Sequence, residues 1–91
     1  MITRYRRHPD LRLTALEGEG VVLHLGTRRY FSVSESGLTL LEALETARTA
    51  DDLTRALTAR YAVTLEHATA SVRAFLEHCN ALDVLLVERE P

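Results

Sequence analysis

The sequence predicts an α+β fold of winged helix-turn-helix outline, a three-stranded antiparallel meander followed by three helices, and three observations predict it. Apolar and polar residues alternate in three short runs between Leu11 and Val33, separated by glycine-bearing turns. From Ser34 the apolar period lengthens to three or four residues, in three stretches that each start at a Ser or Thr able to cap a helix. The 91 residues are 46% hydrophobic and 26% charged, a globular composition that leaves room for one core. A chain of this size buries about 60–65% of its extended surface. One domain over residues 1–91 is therefore expected, with residues 1–9 as a mobile arm.

The first strand is read over Leu11 to Leu16, where Leu11, Leu13 and Ala15 alternate with Arg12 and Thr14. Glu17-Gly18-Glu19-Gly20 is a turn. The second strand runs from Val21 to Leu25, a turn covers Gly26 to Arg29, and the third strand covers Tyr30 to Val33. Leu23, Leu25, Phe31 and Val33 are expected on the inner face of this hairpin, with His24, Tyr30 and Ser32 on the other. The third strand has neither Lys nor Pro to blunt it, so its outer edge is left open for pairing.

The first helix starts at a cap formed by Ser34 or Ser36, carries Leu38, Leu41 and Leu44, and is expected to end near Ala47. Thr49 with Asp52 makes a capping-box-like start for the second, whose buried stripe is Leu53, Ala56, Leu57 and Tyr61. Thr64 caps the third, with apolar positions from Leu65 through Ala68, Val72, Phe75, Leu76 and Cys79 to Leu82. That stripe is about 140° wide, more than the roughly 100° a core contact needs, and the excess is expected to face a ligand. Val84 to Val87 reads as a short strand or an extended tail.

Several function classes are disfavoured. The net charge of -2 gives no general attraction to phosphate, and Arg4, Arg6, Arg7 and Arg12 read as a solvated arm. A winged helix commonly reads DNA, yet the third helix sets one Arg73 among Glu66 and Glu77 on its polar side, poor for a phosphate contact. The lone Cys79 allows no internal disulfide, which fits a cytoplasmic location, and no stretch resembles a membrane span. His78 and Cys79 are adjacent and diverge on a helix, so no metal site is expected. Cys79 in an apolar stripe is no nucleophile, and no glycine loop would cradle phosphate, so neither an enzyme nor a cofactor is expected.

The run LHLGTRRYFSVSESG, the leucine-rich helix after it, TADDLTRALTARYAV, VRAFLEHC and the closing LDVLL together resemble the PqqD-like proteins over about Pro9 to Val87. These are small leader-peptide recognition elements of ribosomally made, modified peptides. Gly37, Tyr30, Phe31, Tyr61 and Phe75 match the family pattern. Arg28, Ser34 and Asp83 stand where members commonly have Gly, Asn and Gly, and Ser71 and Cys79 where an acidic residue and Leu are frequent.

The resemblance implies a non-catalytic module in which the leader adds as a strand beside the third strand, in a groove against the third helix. Its peptide-binding residues would be Arg29, Tyr30, Phe31, Ser32 and Val33 on the strand. On the helix they would be Val72, Arg73, Phe75, Leu76 and Cys79, with one of Phe75 and Leu76 bordering the groove. The partners implied are a precursor peptide and a separate modifying enzyme, a leader protease or cyclase of a lasso-peptide pathway first and a radical enzyme next. Two other readings stand beside it, a winged-helix DNA binder and a homodimer paired through the third strand; neither nucleic acid nor a membrane is an expected partner.

Overall fold

The computed structural model describes residues 2–91. Its elements are β1 (Ile2–Arg7), β2 (Leu11–Leu16), β3 (Glu19–His24), β4 (Arg29–Ser34), α1 (Glu35–Ala43), α2 (Ala50–Arg60), α3 (Leu65–Ala81) and β5 (Leu85–Glu90). An antiparallel sheet ordered β2-β3-β4 and three helices enclose one core, and β1 pairs with β5 as a second, two-stranded sheet. Among the described residues no helix is long and apolar enough to cross a membrane.

The caps act as their side chains dictate. The Ser34 hydroxyl accepts from the Gly37 N–H at the start of α1. Thr49 and Asp52 form a reciprocal capping box: the Thr49 hydroxyl accepts from the Asp52 N–H, and the Asp52 carboxylate accepts from the Thr49 N–H. That backbone hydrogen bond, followed by one from Arg55, holds the Asp52 carboxyl below the usual carboxylate range. Thr64 caps α3 through the His67 N–H.

Residues 2–7, expected as a mobile arm, instead form β1 (residue 1 lies outside the described residues). The reason is visible at the end of α1, which stops at Ala43 rather than near Ala47 and leaves carbonyls without helical partners. The Arg7 N–H donates to the Leu44 carbonyl and its guanidinium donates to the Leu41 carbonyl, so β1 caps the helix with a positive charge. Tyr5 and Arg48 exchange N–H to carbonyl bonds of 2.7 and 2.8 Å, which pulls the chain after α1 out of the helix. The C-terminal run becomes β5 because β1 is there to pair it, and Arg4 is held in its charged form by its hydrogen-bonded ion pair with Glu90.

The hairpin faces also differ from expectation. Register places Val22 opposite Phe31 and Leu23 opposite Tyr30. Val22 and His24 are buried, while Leu23 and Leu25 lie on the outer face with Tyr30. The inner set of β3 is thus Gly20, Val22 and His24, one residue out of phase with the leucines, and a shift of one inverts every side chain of a strand. Gly20 permits this phase because a Cβ there would meet Leu38 of α1 at 2.9 Å.

Candidate functional site

With β3 on one side of it, β4 is an outer strand of its sheet, and no described strand pairs its other edge. Alternate residues of Arg29–Ser34 therefore turn their N–H and C=O groups outward. Arg29, Phe31 and Val33 follow the inner face, and Tyr30, Ser32 and Ser34 the outer, where Tyr30 is 78% exposed.

Two clefts lie along the strip between this edge and α3. The first, about 580 Å3, opens between the start of β4 (Arg29, Tyr30, Phe31) and the C-terminal end of α3 with its exit (Ala81 to Val84). The second, about 320 Å3, lies between the end of β4 (Ser34) and the N-terminal half of α3 (His67, Ser71), over a floor of Leu57, Tyr61 and Val63. Strand and helix thus run in opposite directions along the strip. Six residues of β4 span about 20 Å and the eleven steps from Ser71 to Leu82 about 17 Å, so the two walls match in length. Half-buried Phe75 has its ring 3.8 Å from where a Cβ on Gly37 would sit.

Of the helix residues expected to line the groove, Phe75 is half-buried, packed against the core beside Gly37, and lines neither cleft. Val72 and Cys79 are core residues at 1% exposure and Leu76 is buried at 8%, so none of the three offers a free surface. Arg73 lies on another side of the helix, in a cleft with Tyr5, Ala50 and Thr54 that faces β1 and α2. The helical period explains all four. Measured from Ser71, Phe75 and Leu82 fall within about 40°, whereas Val72, Leu76 and Cys79 lie about 80–140° round and Arg73 about 200°. The residues of α3 and its C-cap that line the two clefts are His67, Ser71, Ala81 and Leu82, with Phe75 on the same face by helical phase, and the sequence reading placed none of the four there because their chemistry is mixed. Burial also pushes the Cys79 thiol up to about 11, which leaves it without nucleophilic character. Among the described residues no cluster of His, Cys, Asp or Glu could hold a metal ion.

The wide cleft is fixed by His24, 4% exposed. Its Nδ1 accepts from the Gly26 and Thr27 N–H groups at 3.1 and 3.3 Å, which leaves Nε2–H to donate to the Asp83 carbonyl at 3.2 Å. One imidazole thereby ties the β3–β4 turn to the exit of α3. That exit is a Schellman motif: the Asp83 N–H bonds the Asn80 carbonyl, the Val84 N–H bonds the Cys79 carbonyl, and Asp83 has φ +57°. Arg28 in the turn has φ +60°. Both are positions where the resembled family commonly has glycine, and both have the left-handed backbone that favours it.

Comparison with known proteins supplies independent findings. The model of the family described as Coenzyme PQQ synthesis protein D (PqqD) matches residues 19–85. A solved structure described as TbiB1 in complex with the TbiA(beta) leader peptide is similar, with TM-score 0.75 and 24% identity over 88% of this chain and 93% of that one. Another, described as lasso peptide synthetase B1 complexed with the leader peptide, has TM-score 0.73 and 17% identity over 90% of this chain and 96% of that one. At these identities the likeness establishes a shared fold. No curated protein matches the chain.

Proposed function

The chain belongs to the PqqD family, and from that premise we propose that it is a non-catalytic module that binds the leader segment of a ribosomally made precursor peptide. The leader adds as a strand to the open edge of β4 and packs against the groove face of α3. The observation that carries this reading is the unpaired β4 edge running beside α3 with a cleft at each end. That two similar folds were solved with leader peptides supports it. Modifying enzymes separate from this chain, a leader protease and cyclase of a lasso-type pathway, would then receive the leader.

The energetics assign different roles to backbone and side chains. Each strand hydrogen bond contributes about 0.5–1.5 kcal/mol net, and ordering each leader residue costs about 1–2 kcal/mol, so the two roughly cancel. Affinity then comes from anchors: two or three apolar leader side chains, at about 1.5–3 kcal/mol each, seated in the clefts.

We read α2 and α3 with the adjoining hairpin as a winged helix-turn-helix outline put to peptide use. A DNA reader is disfavoured because the exposed side of α3 alternates Glu66, Arg73 and Glu77. The test is a fluorescence-polarisation titration of a labelled leader, taken from a precursor encoded near this chain, into wild type, Ser71→Arg and Leu82→Arg. Saturable binding weakened about tenfold or more in both variants is expected. Equal affinity in all three would remove the groove assignment.

A further inference from the structure

The leader groove leaves the N-terminal arginines unused. Arg6, Arg7 and Arg12 line one cleft of about 330 Å3, with Pro9, Leu11 and Glu45. Two of the guanidinium groups are held by backbone: Arg7 Nη1 donates to the Leu41 carbonyl at 3.0 Å, and Arg12 Nη1 donates to the Pro9 and Leu11 carbonyls at 3.1 and 2.9 Å. Each keeps its remaining donors for another group. The ion pairs among the described residues are Arg4 with Glu90 and Arg55 with Asp52, so none of these three cations is neutralised, although Glu45 shares their cleft.

We infer that this cleft is a docking site for an acidic segment of a partner protein, whose carboxylates accept from the open forks of Arg6, Arg7 and Arg12. Guanidinium forks match carboxylates two donors at a time, and holding those of Arg7 and Arg12 beforehand reduces the ordering cost of binding. A protein segment fits better than nucleic acid, because three cations and a carboxylate gathered in one cleft of a chain with net charge -2 make no track along a phosphate backbone. The cleft lies at the β1 and β2 side of the molecule, with β3 between it and the β4 edge. A leader held along β4 leaves it free. Resting on the proposed function, the occupant is an acidic surface segment of the enzyme that receives the leader.

The probe is a fluorescein-labelled oligoglutamate peptide, titrated by polarisation at low salt into wild type and Arg6→Glu/Arg12→Glu. Both replaced residues are exposed, and an unchanged leader titration on the same samples verifies folding. Expected are an affinity about tenfold weaker in the double variant and a loss of wild-type binding as salt rises. No binding to wild type, equal binding to both proteins, or tighter binding of duplex DNA of the same length would overturn the inference. Glutamate binding without leader binding would retain this site and remove the leader reading.

Discussion

His24 Nε2 lies 3.2 Å from the carbonyl oxygen of Asp83, a bond across 59 residues that joins the hairpin turn to the exit of α3. Both walls of the wider cleft hang on it. The same ring takes two turn N–H groups on its other nitrogen, so its loss frees three backbone groups at once. His24→Ala is expected to lower the unfolding free energy by about 2 kcal/mol or more in urea titration, against about 0.5 kcal/mol or less for Tyr30→Ala. Equal midpoints for the two variants would contradict the role given to His24.

Arg28 and Asp83 both carry a side chain in the left-handed region. Relief of that strain, less the backbone freedom glycine adds to the unfolded chain, predicts that Arg28→Gly stabilises by about 0.5–1 kcal/mol. Asp83→Gly should gain less, because Asp tolerates this conformation better. Thermal unfolding of the two single variants and the double variant measures both increments.

Cys79 is interior, and burial raises its thiol to about 11. At pH 8 roughly a thousandth of it is thiolate, so iodoacetamide should label the native protein far more slowly than the urea-unfolded chain. The linkage has a definite sign. A folded pKa raised above the unfolded value means that this contribution is complete below the unfolded value, near 9.0, and is lost as pH rises toward about 11. Wild type should therefore lose more stability across that window than Cys79→Val.

The two sides of α3 separate binding from folding. Arg73 faces β1 and α2, so Arg73→Glu should leave leader affinity within about twofold, whereas Ser71→Arg lowers it about tenfold. Leu76→Asp should unfold the protein outright, because a buried carboxylate there has no partner. Circular dichroism beside the polarisation titration distinguishes these outcomes.

What could be read from residues alone follows from how local each cause is. The caps at Thr49 and Thr64 and the alternation of Leu11 and Leu13 in β2 act within a few residues, and the structure has them, although Ala15 further along β2 is exposed. The first cap, open in the sequence between Ser34 and Ser36, falls to Ser34. The phase of β3 was not legible, because His24 is polar and yet interior, its nitrogens satisfied by Gly26, Thr27 and the distant Asp83. Strand β1 was hidden for a similar reason: its partners are the C-terminal run and carbonyls at the end of α1, and five of its six residues are not aliphatic. On α3 the apolar stripe was visible and its two uses were not. The widest part of it is core, and the clefts lie where the helix turns to His67, Ser71 and Leu82.

Hydrogen exchange on the β4 amides tests the central claim most directly, measured residue by residue by NMR with and without a saturating leader peptide. The account predicts that alternate amides between Arg29 and Ser34 become strongly protected, and that resonances of Ser71, Phe75 and Leu82 shift with them. Leader binding that leaves every β4 amide exchanging at its free rate would contradict it.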